Sequence, residues 1–543
     1  GGLFVACGYW FLYGRESGPP PAFEATLAGA ADEAAVTPLR PRAAAFSRRV
    51  SERFDVGLVL VCLSAVAYAA YFSVITILHH RNLGTRSFDL ALEDNLMWNL
   101  VHGGPLFKST PFSGPMGTHF GHHATFFAFV MAPLYALFPG AETLLVIQAT
   151  LMGAAAVPLF LYARRRLPEW VAAQVASMYL LYPPLHGAAL YDFHYLPLGV
   201  FFLWLALYAI DSKRRVLAVV AALLAISVRE DVAFSLAVMG AFLLLAGEAA
   251  VAGSILAAVG GVYFLVMKLG VMPRFKGGAE SFVNQYAGLL PPGGQGFGAI
   301  LGTMVENPGF TANVVLDRDK YPYVLQIFTP LLFLPLRYPI AVLLVAPGVI
   351  FTLLSTGYSP LVQISFQYTT YWTAFVFIGL VVALARLSRP LGPWGHEAPL
   401  RLQATMTSLL VATLFCTAFN GAFLRHDTVR GGFDAFRFGT TTDDLRRRGE
   451  LARLVGEIPP SASVAASEFL VPHVSTRQDA YTIRFGTYDA EYLLFDVPLN
   501  GDERAHVYPL LQSGAYGVVD DVGDLALAQR GHSTEGNAAL LRR

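Results

Sequence analysis

The chain has 543 residues, of which 55% are apolar and only 14% charged, and its mean hydropathy is +0.50. Ordinary soluble domains carry about a quarter charged residues, so a chain this long and this apolar reads as a membrane protein. Its 38 basic and 38 acidic residues cancel, which leaves no electrostatic footprint for a nucleic-acid partner.

Taken in chain order, the sequence begins with Gly rather than Met, which points to a start upstream of residue 1. Residues 1–13 read as the remnant of a signal or of a further span, and the Pro-, Ala- and Arg-rich stretch 15–53 as a flexible leader. Residues 1–53 are therefore set apart as an N-terminal, cytoplasmic leader. A helix needs about 20 apolar residues to cross the hydrocarbon core. Candidate spans lie near 56–78, 143–163, 171–187, 195–210, 216–229, 232–246, 250–271, 322–336, 338–356, 371–387 and 404–423. These roughly eleven spans make residues 54–424 a polytopic transmembrane helix bundle, mostly α.

Positive charge orients it. Arg40, Arg42, Arg48, Arg49 and Arg53 precede the first span, Arg164–Arg166 follow the second and Lys213–Arg215 the fourth. All three clusters fall on the cytoplasmic side if the apolar stretch 124–138 does not cross. The loops 79–123, 183–195, 228–232, 273–321 and 357–370 are then external, and so is everything after about residue 425. The localisation expected from this is a bacterial inner membrane with the C-terminal region outside.

The external loops hold the polar motifs. In the first, Phe88, Leu92, Leu96 and Leu100 repeat at helical spacing, so 88–102 reads as an amphipathic helix at the interface. Asp89 and Glu93 share a face of it, and Asp94 points about 140° away from Asp89. Asp89 sits at the helix start, where the dipole favours an ionised carboxylate. These acids either cap and solubilise the helix or serve chemistry. Next come His119, His122 and His123. On a helix His119 and His123 would be four apart, which suits a metal completed by Asp89 or Glu93; hydrogen bonding or lipid-phosphate binding suits them equally.

Tyr191-Asp192-Phe193-His194 stands between two spans. Arg229-Glu230-Asp231 places three charges in an apolar run, where charges face a cavity or one another. Gln367, Tyr368, Tyr371 and Trp372 read most simply as an interfacial aromatic belt. There is no phosphate-binding loop, dinucleotide fingerprint, nucleophile elbow or zinc-protease motif. The three cysteines, Cys7, Cys62 and Cys416, all lie in apolar stretches and give neither a disulfide framework nor a zinc ligand set.

Residues 425–543 change character. An arginine-rich helix over Asp443–Val455 is followed by Pro459-Pro460 and by strand-like runs at Ser463–Ala466, Tyr481–Ile483, Tyr492–Asp496 and Tyr516–Val519. This alternation predicts a small α/β domain that caps the membrane region.

Phe88-Asp89-Leu90 with Trp98-Asn99, His119-Phe120, Ala132–Pro139, Leu181-Tyr182-Pro183, Asp192-Phe193-His194, Arg229-Glu230-Asp231 and the tail's Ser463-Val464, Val471-Pro472-His473 and Arg477 together resemble the DUF2079 family of bacterial predicted membrane proteins. That family looks related to the GT-C glycosyltransferase superfamily, multispan enzymes that move a sugar from a polyprenyl-phosphate carrier onto an external acceptor. The resemblance implies a GT-C-like bundle with a catalytic acid in the first external loop. Asp89 matches that position, with Glu93 or Asp94 as a second acid. His119, His122, Asp192, His194, Arg229, Glu230 and Asp231 are then the substrate-binding candidates, the cations and histidines serving the leaving phosphate. No cofactor is called for, although a divalent ion could replace some of the cations. Two other readings are a non-catalytic GT-C-like subunit of a larger membrane complex and a transporter of lipid-linked substrates. The latter would need polar residues at mid-membrane.

Overall fold

The computed structural model describes residues 55–276, 282–389, 398–423 and 429–543. The expected leader, 1–53, lies outside the described residues. Contacts divide the chain into a unit of residues 1–60, described only from residue 55, and a second compact unit, 61–543, that holds the helices and the C-terminal strands together.

Five helices are long and apolar enough to cross a membrane: Val56–Arg81, Ala141–Ala163, Ala250–Lys276, Gln367–Leu387 and Pro399–Asn420. They are apolar on all sides, as helices facing lipid or other helices must be. Gln367–Leu387 is the central one, with 78% of its span buried, against 22% for Ala250–Lys276 at the periphery. The helices Glu230–Leu245 and Ala250–Leu265 pack unusually closely. A Cβ at Gly240 would collide with the backbone of Gly253 and Ala257, so small residues set this approach.

Several expected spans are not continuous helices. The stretch 171–187 ends its helix at Leu180 and starts another at Pro183. The stretch 322–336 breaks after Phe328 into two short 3-10 turns, with Leu332 and Phe333 in the left-handed region at φ 50° and 55°. The stretch 338–356 consists of short pieces around Pro347. Proline removes a backbone donor and clashes with the preceding turn, which hydropathy alone does not register. The stretch 124–138 forms a helix of only 10 residues, Ala128–Leu137, about half the length a crossing needs.

The C-terminal region carries strands β1 (Arg430–Gly431), β2 (Asp434–Ala435), β3 (Val464–Ala466), β4 (Ala480–Thr482), β5 (Tyr492–Asp496), β6 (Tyr516–Val522) and β7 (Leu525–Arg530). The last five form one sheet in the order β4-β3-β5-β7-β6. β3 runs parallel to β4 and β5, while β7 is antiparallel to β5 and β6. β7 was not anticipated; its Leu-Ala-Leu-Ala-Gln-Arg composition favours helix by propensity, and only pairing on both edges makes it a strand.

Each face of the sheet has its own apolar core. One is covered by helix Gly501–Gln512 through Val507 and Leu511. The other is covered by helix Thr442–Gly456, which a capping box between Thr441 and Asp444 starts. Leu451 and Leu454 of that helix share this second core with Leu83 and Ala91 of the segment after the first helix. The sheet region thus packs directly onto the loop that carries the acids.

That loop departs from the amphipathic surface helix expected for 88–102. It opens with a π-helical turn, Ser87–Ala91, and continues as an α-helix over Leu92–Val101. Apolar and polar sides are both buried, since Leu90, Leu96 and Met97 are enclosed along with Glu93, Asp94, Asn95 and Asn99. The polar side is covered by protein rather than water. Asn95 donates to the carbonyls of Ser475 (3.1 Å) and Arg477 (2.7 Å), and Lys108 pairs with Asp479 at 2.7 Å.

Candidate functional site

A cavity of about 210 Å³ opens between this helix, the histidine loop and the first turn of Gln367–Leu387. Six of the ten candidate residues line it: Asp89, Glu93, His119, His122, His194 and Arg229. They come from four segments separated by up to about 140 positions of sequence, brought together because each caps or joins helices at one end of the bundle.

Asp89 is the most constrained of them. Its Oδ2 accepts from the Tyr191 hydroxyl at 2.5 Å, and its Oδ1 from His194 Nε2 at 3.0 Å. The Tyr191 and His194 rings stack with centroids 4.9 Å apart. Both sit on a tight turn in which Asp192 takes a left-handed backbone at φ 35°. Gln148, from the second long helix, clamps that turn: its Oε1 accepts from the His194 N–H and its Nε2 donates to the Asp192 carbonyl, both at 2.7 Å. Burial works to raise the Asp89 carboxyl. The donors His194 and Tyr191, with the Arg86 charge, outweigh it and hold the group below its ordinary value. Asp89 is therefore an ionised carboxylate on the cavity wall.

Glu93 is the opposite case. Burial pushes its carboxyl well above the ordinary value, the Asp89 charge pushes it further, and Arg229 opposes only in part. Two acids one helical turn apart are thus shifted in opposite directions, the pattern that separates a base from a proton-bearing hydrogen-bond donor. Glu93 Oε1 lies 3.5 Å from His119 Nε2, without a hydrogen bond.

His119 opens a 3-10 turn, His119–Gly121, with His122 and His123 following it, rather than the helix that a four-residue spacing would need. Burial keeps His119 and His123 neutral, and His122 is lowered to about 4 by burial with Lys276 and Lys268 nearby. His123 donates from Nδ1 to Glu230 Oε1 at 3.0 Å, and the Ala124 N–H reaches Glu230 Oε2 at the same distance. Glu230 is thereby the anchor of the histidine loop. Among the described residues no three His, Cys, Asp or Glu converge as metal ligands.

Arg229 is extended between two helices and turns back on Asp231, with Nε 2.9 and 3.0 Å from its two oxygens. It also donates to Tyr371 Oη at 2.8 Å, and Tyr371 in turn donates to Asp231. A buried charge so held is compensated and fixed in position. Four candidates lie off the cavity wall. Asp231 and Glu230 serve as partners of Arg229 and His123. Asp192 accepts from the Arg86 N–H at 3.0 Å. Asp94 points into the interface with the sheet region, where Tyr135 Oη (2.5 Å) and Ser475 Oγ (2.6 Å) donate to its two oxygens.

The sequence reading did not include Thr125, Tyr195 and Phe282, which also line the cavity, and it placed Gln367 and Tyr368 in an interfacial belt. Both instead line the cavity, Gln367 buried at 4% exposure and Tyr368 partly buried. Aromatic residues at a span entrance carry no sign of whether they face lipid or a pocket; the polar Gln367 beside them was the available signal.

The fold and site define a helical, membrane-type protein with a cavity lined by titratable residues and a strand-containing C-terminal region. The chain belongs to the family of predicted membrane proteins DUF2079, which matches residues 79–519. No curated protein matches it. Among solved structures it is similar to ArnT from Cupriavidus metallidurans bound to undecaprenyl phosphate, at 13% identity and TM-score 0.49, covering 86% of this chain and 98% of that one. The apo state of the same protein gives TM-score 0.48 at the same identity and coverage. The archaeal oligosaccharyltransferase AglB from Archaeoglobus fulgidus, in complex with an inhibitory peptide and a dolichol-phosphate, gives 12% identity and TM-score 0.43, covering 86% of this chain and 74% of that one.

Proposed function

We propose that this protein is a GT-C-type glycosyltransferase that moves a sugar from a polyprenyl-phosphate carrier to a cell-envelope acceptor. In this reading the bundle sits in a bacterial inner membrane and crosses it roughly eleven times when the shorter and broken helices are counted. The leader 1–53 is cytoplasmic, and the site and residues 425–543 are external.

The observation that carries the proposal is the ionised Asp89 carboxylate, fixed by two donors on the wall of the cavity. An acceptor hydroxyl bound there gives its proton to Asp89 as its oxygen bonds to the anomeric carbon. The bond from that carbon to the phosphate oxygen breaks, and the phosphate leaves with the electron pair. A single displacement inverts the anomeric centre. Arg229, held by Asp231 and Tyr371, supplies fixed positive charge for the leaving phosphate, and His122 supplies a neutral donor. The donor sugar is already activated by its phosphate, so no nucleotide-binding loop is needed.

The test is mass spectrometry of envelope glycans and lipids from a deletion strain complemented with wild type or with Asp89→Asn. A transferase loses its product in the variant. A non-catalytic subunit restores the full profile.

A further inference from the structure

One set of residues on the cavity wall is unusual for a protein interior. Glu93, His119, Thr125 and Gln367 all line the cavity, and each is more than nine-tenths buried, at 8%, 5%, 0% and 4% exposure. Yet Glu93 Oε2, both ring nitrogens of His119, Thr125 Oγ1 and Gln367 Oε1 have no hydrogen-bond partner among the described residues. Burying such a group without a partner costs about 1–3 kcal/mol each. Four of them sharing one cavity is the pattern of a site whose partners arrive with a ligand.

The chemistry of that ligand can be narrowed. The charged groups on the wall already have partners within the protein, Arg229 in Asp231 and Asp89 in the hydrogen bonds of His194 and Tyr191. The unpaired atoms include both kinds: Gln367 Oε1 only accepts, the Thr125 hydroxyl does both, and a neutral imidazole offers one donor and one acceptor. A phosphate, which only accepts, leaves the Gln367 oxygen and one His119 nitrogen unpaired. An ammonium only donates, and a carboxylate only accepts and meets the Asp89 charge. Hydroxyl groups, each a donor and an acceptor, answer all four.

Resting on the transferase reading above, we propose that Glu93, His119, Thr125 and Gln367 form a subsite for an uncharged, polyhydroxylated sugar ring. The transferred group is accordingly a neutral hexose-type sugar, and neither an amino sugar nor a uronic acid.

The full chain, purified in detergent, is tested by thermal shift against three short-chain prenyl phosphates carrying glucose, glucosamine or glucuronate. The glucose conjugate is expected to bind at least about tenfold tighter than either charged one. Thr125→Val and Gln367→Leu are each expected to weaken it about tenfold while leaving the melting temperature of the empty protein unchanged or higher, because each removes an unpaired buried group. A merely structural role would lower that temperature. Preference for a charged conjugate, or wild-type affinity in both variants, overturns the subsite and leaves the transferase reading intact. Selective binding of glucose conjugate together with full envelope restoration by Asp89→Asn keeps the subsite and removes the transferase. Binding of no conjugate contradicts both.

Discussion

The two sides of the helix at 87–101 carry nearly the same residues and do opposite work. Asp94 and Asn95 face the sheet region, where every oxygen and amide hydrogen of theirs meets a partner: Tyr135 and Ser475 on Asp94, and Thr110, Asn99, Ser475 and Arg477 on Asn95. Asp89 and Glu93 face the cavity, where Asp89 is fixed but reachable and Glu93 keeps an unpaired oxygen. A buried carboxylate is thus no marker of function by itself. What separates the sides is whether the surrounding protein has already used the group's hydrogen-bonding capacity.

The contrast breaks most sharply at Asp89. Replacing a general base costs about 10²- to 10⁴-fold in rate, so Asp89→Asn is expected to abolish detectable transfer at wild-type abundance, measured by envelope mass spectrometry alongside immunoblotting. On the other side, Asn95→Ala strands the Thr110 N–H and two carbonyls. It is expected to cost about 2–3 kcal/mol of stability, read as a lower melting temperature, with product per folded molecule unchanged.

Tyr191→Phe acts at the edge of the chemistry. It removes a donor that holds the Asp89 carboxyl low, so that carboxyl rises and the acid limb of the pH–rate profile moves to higher pH. A profile that does not move would remove Tyr191 from the positioning of Asp89. The smallest effect is expected for Asp94→Asn. Burial raises the Asp94 carboxyl from 3.8 to about 6 against its two hydroxyl donors. A raised acid stabilises the fold fully below its ordinary value, and that contribution is lost as pH rises through about 6. At neutral pH the variant gives up one of the two accepted hydrogen bonds but also the cost of a buried charge. Its stability should lie within about 1 kcal/mol of wild type, with a flatter dependence of the melting temperature on pH between 4 and 6.

Much of this contrast could be read from residue order, and the missing parts have physical causes. The apolar helices, the polar loops and four of the five sheet strands follow from composition and periodicity. So does the gathering of Asp89, His119, His194 and Arg229, because motifs that end or join helices on one side of a bundle meet there. Hydropathy overstated the continuity of 322–336 and 338–356, because proline breaks a helix without lowering its apolar score. Spacing placed Asp94 away from Asp89 but could not say that the sheet region waits on that side. Gln367 and Tyr368 read as an interfacial belt because a span entrance looks the same from sequence whichever way it faces.

The most direct measurement compares Asp89→Asn with Asp94→Asn in one deletion strain, each isosteric and each replacing a buried acid of the same helix. With both variants at wild-type abundance, the account predicts that Asp94→Asn restores the envelope profile and Asp89→Asn does not. Restoration by both would contradict it.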